Sequence, residues 1–184
     1  MATINSKDRI LDAAERVVLE QGAARLTLDA VAHQASMSKG GLLYNFPSKE
    51  DLIRGMVARL TERFDADLER RAHEDPKIAG RHTRAYVDAC SPVALSTQHD
   101  AVCAGLLAAV ATNLSLLEPL RSAARAMQSK LTDDGIDPVL ASIVRLAVDG
   151  LWMSDLFGVD PMDENLRIQV LERLRALTTT TGGL

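Results

Sequence analysis

The sequence predicts an all-α fold in two parts: an N-terminal three-helix module with helix-turn-helix spacing, and a larger helical region behind it. Three observations predict it. Helix-forming Ala, Leu, Arg and Glu are abundant, and of 184 residues 47% are hydrophobic but only 3% aromatic, so the core must be aliphatic. Apolar positions recur at three- and four-residue spacing, and no stretch alternates as a half-buried strand would. Ser, Thr, Asp, Gly and Pro punctuate these stretches where helices start and stop.

Each helix follows from its own pattern. Ile10, Ala13, Ala14, Val17 and Val18 give one face of a helix over 6–21, and Gly22 is expected as its left-handed cap. Thr27 is a good N-cap for a second helix, with Leu28, Val31 and Ala32 turned inward, ending near Ala35. Ser36, Met37 and Ser38 make a tight turn before a short third helix ending at Tyr44. Pro47 breaks the chain, and Ser48 with Asp51 reads as a capping box for a long fourth helix running to about residue 74. Further helices are expected over 77–89, 101–113 and 116–132, with a break at Ser91-Pro92 and Pro119 in a first turn. Asp133, Asp134 and Gly135 form a loop, and Asp137-Pro138 is an N-cap followed by proline at the first helical position. The helix over 139–157 is apolar on most of its surface, interrupted by Arg145, Asp149 and Asp155; 158–161 turns the chain, a last helix spans 163–177, and the tail frays. The natural division is a 1–47 module, with the helix-turn-helix at about 26–45, and a 48–184 region.

Charge narrows the function classes. The formal net charge is −4, and residues 1–50 carry six basic and six acidic side chains. A broad basic surface is therefore excluded, and any nucleic-acid affinity must come from a few well-placed cations and amides. Cys90 and Cys103 are too few for a disulfide framework or a metal site, and buried thiols are expected. The four histidines, His33, His73, His82 and His99, lack metal-ligand spacing, and no nucleophile elbow, Walker loop or dinucleotide fingerprint occurs. No cofactor, metal or catalytic residue is expected. The apolar run over 102–111 is too short to span a bilayer and the first residues are polar, so a cytoplasmic location without membrane partners is expected.

The helix-turn-helix spacing carries the chemistry. Ala32, Ala35, Ser36 and Ser38 are small enough for two helices to cross closely. The third helix begins Ser38-Lys39-Gly40-Gly41, and two glycines in a first turn make sense where backbone must approach another surface. Lys39 adds charge toward a phosphate, Tyr44 can reach one through its hydroxyl, and Lys49 can touch the same backbone. The competing reading is a solvated helix surface with an incidental Gly-Gly.

At this point the sequence resembles the TetR family of bacterial repressors. The carrying residues are Ile10-Leu11-Asp12-Ala13-Ala14, the run from Leu26 to Ala32, and the run from Ser36 to Leu52. The resemblance implies an all-helical homodimer that binds double-stranded operator DNA through its N-terminal module, with a C-terminal region for effector binding and dimerisation. Position by position, it places Thr27, Lys39, Tyr44 and Lys49 at phosphate contacts, and Ser38, Gly40, Gly41 and Leu42 on the face presented to the major groove. Ser36 in the turn is counted with them, as is Asn45, where the family often has His. The stretch from Leu146 to Trp152 is similar to a subgroup associated with drug-efflux control.

Two expectations concern the second region. The stripe Leu166, Val170, Leu174 and Leu177 suits a homodimer interface of paired helical hairpins, against the alternative that it packs within one protomer. Trp152, Met153 and Phe157 stand out in an aromatic-poor chain, and with Met56, Leu106, Leu107 and Met127 they are candidate walls of an effector cavity, against the plainer reading of ordinary core. Asp149 beside such a wall would favour a lipophilic cation, unless it pairs with Arg145. The leading function is a ligand-responsive repressor of an efflux or detoxification gene; the alternatives are an effector-independent DNA-binding protein and an enzyme using the helical cavity.

Overall fold

The computed structural model describes residues 5–90, 97–110, 113–159 and 162–179, and among the described residues all regular structure is helical. The α-helices are α1 (Ser6–Gln21), α2 (Leu28–Gln34), α3 (Lys39–Asn45), α4 (Lys49–Glu74), α5 (Arg81–Ala89), α6 (Thr97–Val110), α7 (Glu118–Thr132), α8 (Pro138–Leu156) and α9 (Glu164–Leu177). Short 3-10 turns at Ala23–Arg25 and Leu114–Leu117 precede α2 and α7. The all-α expectation holds.

Most boundaries are set by the residues that announced them. Thr27 Oγ1 accepts the Ala30 amide at 3.1 Å, Asp137 Oδ1 accepts that of Val139 at 3.1 Å ahead of Pro138, and Asp163 Oδ1 accepts that of Leu166 at 2.8 Å. Ser48 Oγ accepts the Asp51 amide at 3.0 Å and donates to the Asp51 carboxylate at 2.6 Å. With Arg54 2.7 Å away, that bond holds the Asp51 carboxyl below the usual carboxylate range.

Three boundaries differ from expectation. Gly22 has φ 85° but ψ 159°, so it keeps a positive φ that favours glycine without being left-handed helical, although its amide still reaches the Val18 carbonyl at 3.0 Å. The helix expected from residue 77 starts at Arg81, because Gly80 takes a left-handed conformation and Arg84 draws the Lys77 and Ala79 carbonyls to its guanidinium. The helix expected over 101–113 runs from Thr97 to Val110, and Asn113 instead caps the next 3-10 turn, accepting from the Ser115 amide at 3.1 Å. The expected break at Ser91-Pro92 and the end of the 158–161 turn lie outside the described residues.

The chain forms two compact units. The first comprises residues 1–62 and 97–121, and so contains the whole expected 1–47 module. Its core is aliphatic: Ile10, Ala13, Ala14 and Val17 of α1, Leu26, Val31 of α2, Leu42 of α3, Leu52 and Met56 of α4, and Val102, Leu106 and Val110 of α6. Arg59 of α4 is buried against α1, with its guanidinium 2.7 Å from Asp12 and 2.6 Å from Glu15.

The second unit comprises residues 63–96 and 122–184. Leu68 and Ala72 of α4, Ala85 and Val87 of α5, Met127 and Leu131 of α7, Ala141, Val144 and Val148 of α8, and Leu171 and Leu174 of α9 form its core. Gly80 offers no side chain to cap α5, so Asp134 does it from the α7–α8 loop. Its buried carboxylate accepts the His82 amide at 3.1 Å, and the Thr83 amide and hydroxyl each at 2.8 Å. Arg84, also buried, bonds Asp75 at 2.7 Å, the Ala79 carbonyl at 2.9 Å and Thr178 after α9. A Cβ at Gly80 would stand 2.8 Å from both Arg84 Nη1 and the Thr178 carbonyl.

Candidate functional site

The second and third helices pack into the first unit through small and aliphatic side chains, leaving one polar surface. The α2–α3 turn is closed by the Ser36 amide on His33 O and the Met37 amide on Ala32 O, each at 3.0 Å. Ser36 takes φ 52°, a left-handed conformation that is uncommon outside glycine and asparagine. Arg9 of α1 donates to the Ala35 carbonyl at 3.1 Å, satisfying the end of α2.

On α3, Ser38 Oγ caps the helix by accepting the Gly41 amide at 3.1 Å. Lys39 Nζ lies 2.9 Å from Asp29 on α2. Gly40 is exposed, and a Cβ there would meet nothing within 4 Å. Tyr44, one turn on, is 90% exposed. Asn45 turns its amide back to the Gly41 carbonyl at 2.9 Å. Lys49 begins α4 and is half-buried, while Thr27 is exposed with its hydroxyl engaged as the α2 cap. One expectation needs correcting. Leu42, placed on the groove-facing side by the family resemblance, is fully buried and anchors α3 to the core, as Phe46 does at the helix end.

The expected walls of an effector cavity fall in different places. Met56 and Leu106 belong to the first unit's core and Met127 to the second's; Leu107 is half-buried. Trp152 is half-buried, whereas Met153 and Phe157 are exposed. Asp149 is engaged: the Tyr86 hydroxyl donates to it, and Arg145 Nε lies 3.5 Å away. Arg145 in turn bonds Gln128 at 2.6 Å, and Gln128 bonds Ser142 at 2.9 Å, which links α5, α7 and α8. Asp155 pairs with Arg167. Burial first, and then the neighbouring Cys90 and Asp149, raise the Tyr86 phenol well above its ordinary range. Burial likewise pushes the Cys90 thiol up to about 12, which makes it inert. The Phe64 ring meets Tyr86 edge-on at 5.8 Å. Tyr86 was missed in the sequence because its partner lies 63 residues away.

A second apolar surface was also missed. Val139, Ile143, Leu146 and Met153 of α8 and Phe157 at its C-cap are all exposed, and Gly150 continues their four-and-three spacing with open space above it. The stripe expected on α9 divides: Leu174 is buried in the unit, Val170 packs against that core, Leu177 is half-buried and Leu166 is exposed. Among the described residues, no cluster of three or more His, Cys, Asp or Glu could hold a metal, and no helix is long and apolar enough to cross a membrane.

Comparison with known proteins bears on this architecture. Over 60 residues the chain is 32% identical to the HTH-type transcriptional regulator TtgR of Pseudomonas putida, a match spanning 33% of this chain and only 29% of that protein's length. A transcriptional regulator of Streptomyces coelicolor A3(2) has the same fold, with a TM-score of 0.74 at 22% identity, covering 95% of this chain and 99% of that one. So does the multidrug binding protein EbrR. Its complex with ethidium gives a TM-score of 0.69 at 24% identity over 92% of this chain and 98% of that one. Its complex with malachite green gives 0.64 at 26% over 91% and 96%. Residues 10–56 match the bacterial regulatory proteins of the tetR family, and residues 80–179 match the tetracyclin repressor-like C-terminal domain. The chain belongs to the TetR family of bacterial regulatory proteins.

Proposed function

We propose that the chain is a cytoplasmic, ligand-responsive transcriptional repressor that binds a palindromic DNA operator as a homodimer. The observation that carries this is the surface of α3. Lys39, Gly40 and Tyr44 stand exposed on a helix held from behind by Leu42 and Phe46, and the core needs none of the three. Lys39 and the Tyr44 hydroxyl supply phosphate contacts, and the open space at Gly40 lets backbone approach the groove. Ser38, Gly41, Ser36, Asn45, Thr27 and Lys49 complete the surface.

Dimerisation follows from the exposed α8 stripe, joined by Leu166 of α9. A run of large apolar side chains on one helix face calls for a partner, and a second copy supplies the second α3 that a palindromic site requires. The effector is a small lipophilic molecule, in keeping with the aromatic dyes held by EbrR. A cationic effector would have to displace Arg145 from Asp149, since that carboxylate is already matched. Control of an efflux or detoxification gene is the natural output. The test is a footprint on DNA upstream of the protein's own gene, repeated with ethidium, malachite green and neutral dyes. Protection of a palindrome that a dye relieves is expected; no protected site would refute the reading.

A further inference from the structure

Gly40 holds a helical position that the fold does not need a glycine to fill. Its backbone lies outside the positive-φ region, and a Cβ there would meet nothing within 4 Å. Glycine is the poorest helix former after proline, so its place in α3 needs another reason. Its neighbour has one within the protomer. A Cβ at Gly41 would stand 3.3 Å from Ser38 Oγ, the atom that accepts the Gly41 amide and caps α3. Gly41 thus serves the cap, while whatever needs the bare Cα of Gly40 lies outside the protomer.

The side chains around Gly40 are poorly equipped to identify a base by hydrogen bonds. Such reading in the major groove relies on paired atoms, an Arg or Lys on guanine and an Asn or Gln on adenine. Asn45 turns its Nδ2 back to the Gly41 carbonyl at 2.9 Å, so it no longer offers both amide atoms to an adenine. Lys39 Nζ is drawn toward α2, 2.9 Å from Asp29. Ser38 Oγ accepts the Gly41 amide and retains one proton, which the N7 acceptors of adenine and guanine receive alike. Leu42 and Phe46 are buried. Helical spacing sets Leu43 and Tyr44 three and four residues on, on Gly40's side of α3. Leu43 is half-buried and Tyr44 exposed. The outer surface of α3 is therefore a bare glycine Cα flanked by an aliphatic and an aromatic side chain.

We propose that this surface reads a methyl group: the C5-methyl of one thymine in each operator half-site seats against the Gly40 Cα, between Leu43 and Tyr44, and no hydrogen bond from α3 identifies that base pair. This rests on the repressor reading above and names the feature of the DNA that α3 selects. Of the four bases only thymine carries a methyl in the major groove, and apolar protein groups are its partners there. A glycine gives that methyl a seat that any Cβ would fill.

The test is the affinity of the full chain for variants of the footprinted operator, measured by fluorescence anisotropy at low salt. Uracil in place of thymine removes the methyl and keeps every hydrogen-bonding atom. Scanned through the thymines of both half-sites together, it should weaken wild-type binding about fifteenfold at one symmetric pair, which is roughly fourfold per methyl. At that pair C·G should bind as weakly as U·A. A 5-methylcytosine·guanine pair should bind as T·A does, because the methyl is back although the donor and acceptor have been exchanged. Gly40→Ala should invert the preference and favour U·A over T·A, since its Cβ takes the methyl's place. Uracil that costs nothing at any position, a half-site without thymine, or 5-methylcytosine no better than cytosine overturns the proposal. So does a Gly40→Ala protein that still prefers thymine. A wild type that binds no DNA defeats the repressor reading instead, and this inference with it.

Discussion

Lys39 Nζ lies 2.9 Å from the Asp29 carboxylate, joining the first turn of α3 to the first turn of α2. Both side chains are exposed, so the pair adds little to folding stability. It matters more for DNA. A phosphate approaching Lys39 must displace Asp29 and then sit near a like charge. Asp29→Asn should therefore bind the operator several-fold more tightly at low salt, while Lys39→Ala should weaken binding and flatten its salt dependence by about one phosphate contact, near 0.9 in the log–log slope. Titrations at several salt concentrations measure both. An Asp29→Asn affinity no higher than wild type would show that Lys39 meets no phosphate.

Gly40 separates folding from function. Nothing lies within 4 Å of a Cβ placed there, and its helical backbone would favour alanine by about 1 kcal/mol. Gly40→Ala should raise the melting temperature yet weaken operator binding, because the methyl occupies space the DNA needs. Melting and anisotropy on the same variant decide it, and a stabilised variant with undiminished affinity would move the groove-facing surface elsewhere.

The Arg84–Asp75 pair makes stability depend on acid. The Arg84 guanidinium, through its hydrogen bond first, holds the Asp75 carboxyl below the ordinary carboxylate range. A folded-state value below the unfolded one stabilises fully above the unfolded value, about 3.9, and the contribution is lost as pH falls through the folded one. The wild-type melting temperature should drop steeply below about pH 4, and Asp75→Asn should lose less over the same window. The difference between the two curves isolates Asp75 from Asp51 and Asp67, which are depressed in the same direction. At neutral pH, Arg84→Met takes the guanidinium from the half-buried Asp75 carboxylate, which keeps only the Lys77 amide, and should cost about 1.5–3 kcal/mol. Calorimetry from neutral to acid pH measures all three.

What the sequence revealed was local. Thr27, Ser48 and Asp137-Pro138 each mark a helix start within three residues and cap where they were expected to, and Asp163, expected as the first residue of the last helix, is its cap. What it hid was distant. The true start of α5 depends on Asp134, 51 residues on, and Asp149 is satisfied by Tyr86, 63 residues back. Leu42 misled because a family position carries no burial, and only the packed core shows that its side chain points inward. The α8 stripe was visible as spacing, but Ala141, Val144 and Val148 give the same helix a second apolar face, and pattern alone could not tell which face stays uncovered.

That uncovered face gives the last prediction. Leu146 is 67% exposed at the middle of the stripe, flanked by Ile143 and by Gly150, above which there is open space. If a second copy covers the stripe, Leu146→Glu buries two carboxylates across a twofold axis, where like charges in a desolvated interface cost several kcal/mol. The protomer itself loses no core side chain and should keep its helical signal. Sedimentation should then show monomer where the wild type sediments as dimer, and operator affinity should collapse, because one α3 reads only half a palindrome. A Leu146→Glu protein that still sediments as a dimer would place the interface off α8. One that becomes monomeric yet binds as tightly as wild type would remove the twofold operator from the reading while leaving the α3 surface intact.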